Sequence, residues 1–143
     1  MIMPVLTVND VDESVAYYKD KLGFTHDMTM APEGKSIFAI VRLSDQAVIG
    51  LGTDPAAPKP PFAPGVQFMI YMPEGQNIDT YYADLQAKGI QIDEPLTDTY
   101  WGDRAFSIHD PNGYWLTFCV PVKQVPIEQM EAHIRERDGR VNS

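Results

Sequence analysis

The sequence predicts an α+β fold built from two βαβββ modules and a C-terminal helix. The duplication is indicated by the tyrosine pairs Tyr17-Tyr18 and Tyr81-Tyr82, each of which falls within the sole helical segment of its half. Both helical segments end at a glycine that an apolar strand follows. Between the halves, residues 53–64 contain five prolines, which exclude a central strand and favour a stiff, extended connector.

Local signals define each element of the first half. Residues 1–8 form an apolar run typical of a strand, and Pro4 places that strand near a sheet edge. Asp10 is the predicted N-cap of a helix that Gly23 ends, with apolar residues at helical spacing between them. Alternation and turn residues predict three further strands, over 24–30, 36–43 and 47–52.

The second half repeats this order. A strand is predicted over 66–72 and a helix over 77–88, followed by strands near 90–96, 104–109 and 114–120. The last two strands flank Asp110-Pro111-Asn112-Gly113, a turn in which Pro111 presets φ and Gly113 tolerates a positive φ. Pro126 is the predicted first residue of a tail helix that runs to about Arg137, with Gly139 just past its end. A surface position and a dimer contact are equally supported for that helix.

Composition limits the possible partners. The formal net charge of −9 opposes binding to nucleic acid or to an anionic membrane, because phosphate would repel the protein. The first residues lack a basic segment, so neither a signal peptide nor a membrane span is expected there. Cys119 is the only cysteine, which excludes a disulfide framework and fits a reducing cytoplasm.

Two stretches resemble one known family. They are the run from Leu6 through Tyr18 to Leu22-Gly23-Phe24, and the hairpin from Trp101 to Phe118. Together they resemble the vicinal oxygen chelate superfamily of glyoxalases, extradiol dioxygenases and bleomycin-resistance proteins. The resemblance implies one domain over 1–122, with modules 1–53 and 65–122, a connector at 54–64 and a helical tail at 123–143. It also implies a curved mixed sheet around a cavity, with one sheet face packed on the helices and the other lining that cavity.

The resemblance also predicts where a metal would bind. Metal-dependent members carry ligands at positions that correspond to Met3, Gly50, Gln67 and Thr117. These residues cannot supply the histidine and carboxylate donors that Zn, Ni, Mn or Fe require. The three histidines share no helical or strand spacing and are expected at surface or turn positions. We therefore expect no metal, no other cofactor and no catalytic residues.

The predicted site is instead a binding cavity. Strand alternation assigns residues to the cavity face, and the hairpin adds two at its entrance. The candidate ligand-binding residues are Met3, Gln67, Met69, Tyr71, Trp115, Thr117, Trp101 and Arg104. Alternatives remain open: Tyr71 and Trp115 are equally compatible with core packing, and Arg104 with pairing to an acid such as Asp98 or Asp103. Cys119 faces the cavity by parity but is expected to be a buried, inert thiol.

The leading interpretation is a metal-independent binding protein that resembles bleomycin-resistance proteins. It would sequester a hydrophobic or cationic aromatic small molecule in the cavity of a cytoplasmic homodimer, without catalysis. The alternative is an enzyme on the same scaffold, a lyase or isomerase of the glyoxalase or dioxygenase type. A third interpretation is a regulatory module that uses the sheet edges and the tail helix.

Overall fold

The computed structural model describes residues 1–57 and 65–142, with side chains in the last helix as far as residue 139. Most of the predicted connector, 58–64, lies outside the described residues. The first module contains one helix and four strands: β1 (Val5–Thr7), α1 (Val11–Ala16, continued by a π-helical turn over Tyr17–Lys21), β2 (Thr25–Met30), β3 (Phe38–Ser44) and β4 (Ala47–Gly52).

The second module repeats the first. Its elements are β5 (Gln67–Tyr71), α2 (Ile78–Ala87), β6 (Glu94–Asp98), β7 (Asp103–His109) and β8 (Trp115–Pro121). The strand orders are β1-β4-β3-β2 and β5-β8-β7-β6, and in each sheet the first and last strands pair in parallel. The predicted α+β fold of two βαβββ modules is therefore confirmed.

The helix boundaries follow the local signals in the sequence. The Asp10 side chain accepts a hydrogen bond from the backbone N–H of Glu13 at 2.9 Å, which satisfies one of the free donors at the start of α1. Gly23 and Gly89 follow the two helices with φ of 76° and 79°, a conformation that favours glycine. These ends are encoded locally, so sequence reasoning located them.

Both helices lie in a single hydrophobic core between the two sheets. Buried hydrogen bonds cross between the modules: Tyr18 Oη donates to Asp110 Oδ2 at 2.7 Å, Tyr81 Oη to the carbonyl of Leu22 at 2.5 Å, and Asn112 Nδ2 to Ser14 Oγ at 3.3 Å. The helical residues in this core are Val11, Val15, Tyr18, Ile78, Tyr81 and Leu85. Because the helices cover one face of each sheet, the other face points away from the core. We call these two surfaces the open faces.

Two strand predictions are wrong at their boundaries. Met1 and Ile2 are almost fully exposed, and the first strand begins only at Val5, where pairing with β4 starts. The strand predicted near 90–96 begins at Glu94, because Ile90 and Ile92 pack against the core from an irregular segment. Apolar residues in a loop and in a strand give the same short pattern.

The tail forms α3 (Ile127–Asn142), which packs against the loop before β7. The His133 ring stacks on the Tyr100 ring, with centroids 4.5 Å apart and an interplanar angle of 13°. The helix passes through Gly139 instead of ending before it, since one glycine inside a helix costs only about 1 kcal/mol. No helix within the described ranges is long and apolar enough to cross a membrane.

Candidate ligand-binding face

The open face of the second sheet carries most of the predicted binding residues. Residues directly opposite each other on paired strands share a face. Three rows run across β5, β8 and β7: Gln67-Trp115-His109, Met69-Thr117-Ser107 and Tyr71-Cys119-Ala105, with Asp103 one row further along β7. The predicted residues Gln67, Met69, Tyr71, Trp115 and Thr117 are thus brought together on one surface.

A chain of side-chain hydrogen bonds crosses the middle of this face. Gln67 Nε2 donates to Thr117 Oγ1 at 2.7 Å, and Thr117 Oγ1 lies 2.8 Å from Ser107 Oγ. Thr117 and Ser107 are almost completely buried, so these bonds are shielded from water. Gln67 and Thr117, which the resemblance assigns to two metal-ligand positions, are hydrogen-bonded to each other.

The corresponding positions of the first module, Met3 and Gly50, hold no side-chain oxygen or nitrogen donor for a metal. Gly50 has no side chain, and a Cβ there would lie 3.0 Å from the Phe38 ring and 3.1 Å from Val5. Val5 pairs with Gly50, and Met3 stands two residues before Val5. In the second sheet Met69 pairs with Thr117, and Gln67 stands two residues before Met69, so Met3 and Gln67 hold equivalent positions. Met3 offers a thioether, a soft ligand unsuited to Mn or Fe(II). The residues present do not fit the family's metal.

One end of the open face is formed by two aromatic rings around a carboxylate. Tyr71 Oη and Trp101 Nε1 both donate to Asp103 Oδ2, at 3.0 and 3.1 Å. Asp103 is 6% exposed, whereas Tyr71 and Trp101 are 49% and 36% exposed. Burial and the bond to Asp103 raise the pKa of Tyr71 to about 12. The phenol therefore stays protonated and acts as a donor at neutral pH.

The buried thiol of Cys119 lies beneath this end of the face. Its Sγ is 3.7 Å from the carbonyl oxygen of Ile70, and burial raises its pKa to about 12. The thiolate is therefore scarce at neutral pH, which agrees with the expectation of an inert thiol.

Arg104 lies on the opposite side of the sheet from the open face. Its guanidinium binds both carboxylate oxygens of Asp79 in α2, at 2.7 and 3.2 Å, and Asp98 Oδ1 at 3.1 Å. These bonds raise the pKa of Arg104 and lower that of Asp79. The alternative of pairing with an acid such as Asp98 is the arrangement observed, and the structure does not bring Arg104 to the candidate face.

His109 joins the other end of the face, next to Trp115. The two rings stack with centroids 6.3 Å apart, and His109 Nδ1 lies 2.5 Å from Asp93 Oδ2. Trp115 is half-buried, so part of its ring remains available on the face. His109 is exposed, as predicted for a residue beside the turn.

A groove of about 770 Å³ runs along β5 at the boundary between the modules. Its walls are Ile2, Pro4, residues 44–49 and residues 67–74. Met3, Trp115 and Thr117 are absent from these walls, so this groove does not enclose all the predicted residues.

Sequence reasoning missed Asp103, Ser107 and His109 as members of the open face. Their common signal is alternation along β7, which places every second residue on one side. Arg104 and Asp103 are neighbours and must face opposite sides, but the sequence does not say which of them faces the helix. The contact of Arg104 with Asp79 decides this.

Comparisons with known proteins agree with this architecture. The family model for the Glyoxalase/Bleomycin resistance protein/Dioxygenase superfamily matches residues 2–118. A bleomycin resistance protein of Geobacillus stearothermophilus is 26% identical over 129 residues, which span 85% of this chain and 96% of the relative.

Two solved structures share the fold. TioX from Micromonospora sp. ML1 has a TM-score of 0.67 at 19% identity, covering 88% of this chain and 99% of that chain. A glyoxalase/bleomycin resistance protein/dioxygenase from Nocardioides has a TM-score of 0.66 at 25% identity, covering 86% and 84%. The extent of the family match decides the assignment, and the chain belongs to the glyoxalase/bleomycin resistance protein/dioxygenase superfamily.

Proposed function

We propose that this protein is a metal-independent binding protein that sequesters a hydrophobic or cationic aromatic small molecule. The observation that carries the proposal is the pairing of Gln67 with Thr117 on the open face. These two positions hold mutually satisfied neutral groups where metal-dependent relatives would need charged or imidazole ligands. The exposed side chains around them, Met69, Tyr71 and Trp101, offer apolar and aromatic area to an organic ligand.

The matched relatives support the proposed binding function. They are bleomycin resistance proteins, and the similarity spans nearly their whole length. A protein that confers resistance by sequestration needs affinity for the drug and no reaction. This suits a face on which the Cys119 thiol is protonated and the polar groups across the middle, from Gln67 to Ser107, are hydrogen-bonded to one another.

A homodimer would complete the cavity, and we include it in the proposal. Apolar side chains on or beside the two open faces are substantially exposed, among them Val5 at 57%, Met30 at 46% and Tyr71 at 49%. Apolar area of this kind is stabilised when it is covered. A second copy that places its first open face over the second open face would cover both surfaces and enclose a ligand between them.

The experiment is a binding screen that uses the two tryptophans as reporters. Trp101 and Trp115 are the only tryptophans in the chain, and both adjoin the open face. We expect bleomycin or another basic aromatic antibiotic to quench their fluorescence and to raise the melting temperature. The ligand should be recovered chemically unchanged, by mass spectrometry, after prolonged incubation. A panel without quenching or thermal shift would overturn the proposal, and turnover of a ligand would favour the lyase or isomerase alternative.

Metal independence needs its own measurement. We expect untagged protein to contain substoichiometric Zn, Ni, Mn and Fe by elemental analysis. Dialysis against a chelator should leave both the melting temperature and the ligand affinity unchanged. Stoichiometric metal that is lost together with binding would contradict this part of the proposal.

A further inference from the structure

We propose that the carboxylate of Asp103 binds the ammonium group of a ligand between the rings of Tyr71 and Trp101. The inference rests on the proposed small-molecule function and names the chemical group that this end of the open face would recognise. It concerns an organic cation, such as a primary amine attached to an apolar body.

The first observation is that the Asp103 carboxylate is only half satisfied. Its Oδ2 accepts from Tyr71 Oη and from Trp101 Nε1, but its Oδ1 accepts no hydrogen bond from the described residues. In the described part of the chain, every side-chain oxygen that is inaccessible to solvent has a hydrogen-bond partner. Oδ1 therefore retains access to the surface, although the residue as a whole is 94% buried.

The second observation is that Asp103 has no cationic partner among the described side chains. Arg104, the next residue along the chain, faces the other side of the sheet, where Asp79 and Asp98 hold it. A buried carboxylate is stabilised by a positive charge, and two neutral donors replace lost hydration only in part. An ammonium at Oδ1 would supply the charge that the protein does not provide there.

The third observation is the arrangement of the aromatic rings. The hydrogen bonds to Oδ2 tie the Tyr71 phenol and the Trp101 indole to the carboxylate. Both rings remain partly exposed, so a cation at Oδ1 can contact a ring face as well as the carboxylate. Met69, one row away along β5 and also exposed, offers a surface for the apolar part of the ligand.

A matched pair of probes isolates the charge. Phenethylamine and 2-phenylethanol share the ring and the two-carbon spacer, and only the amine is cationic at neutral pH. Each would be titrated into the protein while the indole N–H signals of the two tryptophans are followed by NMR. We expect the amine to bind about tenfold more tightly, which is about 1.4 kcal/mol, and to shift the Trp101 signal, because only the amine can form a charge-assisted hydrogen bond with Asp103.

Asp103→Asn removes the charge while its amide oxygen can still accept from Tyr71 and Trp101. We expect this variant to lose the preference for the amine and to keep its affinity for the alcohol. Asp79→Asn removes the same charge from the opposite side of the sheet, so it should keep the preference. Circular dichroism melts would verify that both variants are folded.

The possible failures can be told apart. Equal binding of the amine and the alcohol by the unmodified protein would overturn the Asp103 subsite and leave the proposed function standing. A preference that survives Asp103→Asn would also overturn it. Absence of binding by either probe would overturn the subsite, and absence of binding by the antibiotics as well would overturn the proposed function. The first of these comparisons needs no variant and is decisive even if Asp103→Asn does not fold.

Discussion

The hydroxyl of Tyr18 donates a buried hydrogen bond to the carboxylate of Asp110, and this bond joins the two modules. The oxygens lie 2.7 Å apart, between α1 of the first module and the β7–β8 turn of the second. Asp110 Oδ1 accepts from the backbone N–H groups of Asn112 and Tyr114 at 2.9 Å, which shapes the turn. One carboxylate thus organises the turn and binds it to the opposite module.

Tyr18→Phe should lower the free energy of unfolding by about 1–3 kcal/mol, because the variant leaves a buried acceptor without its donor. Tyr17→Phe is the matched control, since the Tyr17 hydroxyl makes no hydrogen bond to the described residues and the ring change is the same. Urea denaturation of both variants tests the prediction. Equal losses would mean that the bond to Asp110 contributes nothing beyond ring packing.

Alkaline pH should destabilise the fold. Burial raises the pKa of Tyr17 to about 12, and burial together with the charge of Asp110 raises the pKa of Tyr18 well above its usual 10. Between pH 10 and pH 12 the unfolded chain therefore releases protons that the folded chain retains. Their contribution to stability is fully present below pH 10 and is lost as the pH rises through the folded values.

The measurement is the free energy of unfolding at several pH values across this window, with tyrosinate absorbance recorded in parallel. Tyr17→Phe should reduce the slope of stability against pH, because one of the shifted phenols is removed. A flat profile from pH 10 to pH 12 would contradict the prediction.

Gly50→Ala should destabilise the first sheet, whereas Gly52→Ala should not. A Cβ at Gly50 would meet the Phe38 ring at 3.0 Å and Val5 at 3.1 Å, so both side chains must move. At Gly52, two residues along the same strand and on the same face, the nearest atom is 3.6 Å away, an ordinary contact. We expect a loss of about 1–3 kcal/mol for Gly50→Ala and within about 0.5 kcal/mol of no change for the control. Thermal or urea unfolding that ranks the two variants in the reverse order would refute it.

The proposed dimer predicts that Val5→Lys yields a monomer. Val5 is 57% exposed on the open face of the first sheet, and a lysine there would place a charge inside the proposed interface. Ile127→Lys adds the same charge at a 66% exposed position on α3, outside both sheets. Sedimentation analysis should find a dimer for the control and a monomer for the first variant. If only Ile127→Lys dissociated the dimer, the dimer interface would have to be assigned to α3 and the proposed interface would be wrong.

Strand parity accounts for how much of the candidate face was predictable. In β8, Leu116 and Phe118 pack in the core while Trp115, Thr117 and Cys119 face away from it, as alternation predicts. For an isolated strand, however, either set of alternate residues could face the core. The start of β7 has no run of apolar residues that would show which set does. The sequence therefore leaves Arg104 open to ligand binding and to pairing with an acid, and its contact with Asp79 decides for pairing.

The sequence by itself determined the repeated modules, the helix ends at Gly23 and Gly89 and the lack of metal-ligand residue types at Gln67 and Thr117. These depend on local backbone preferences and on residue identity, which a sequence contains directly. Only the tertiary structure decided that both open faces lie away from the shared core and that Asp103 lies on the open face of the second sheet. Contacts between distant residues, such as Tyr18 with Asp110, set the orientation of one module against the other, and local patterns carry no information about such contacts.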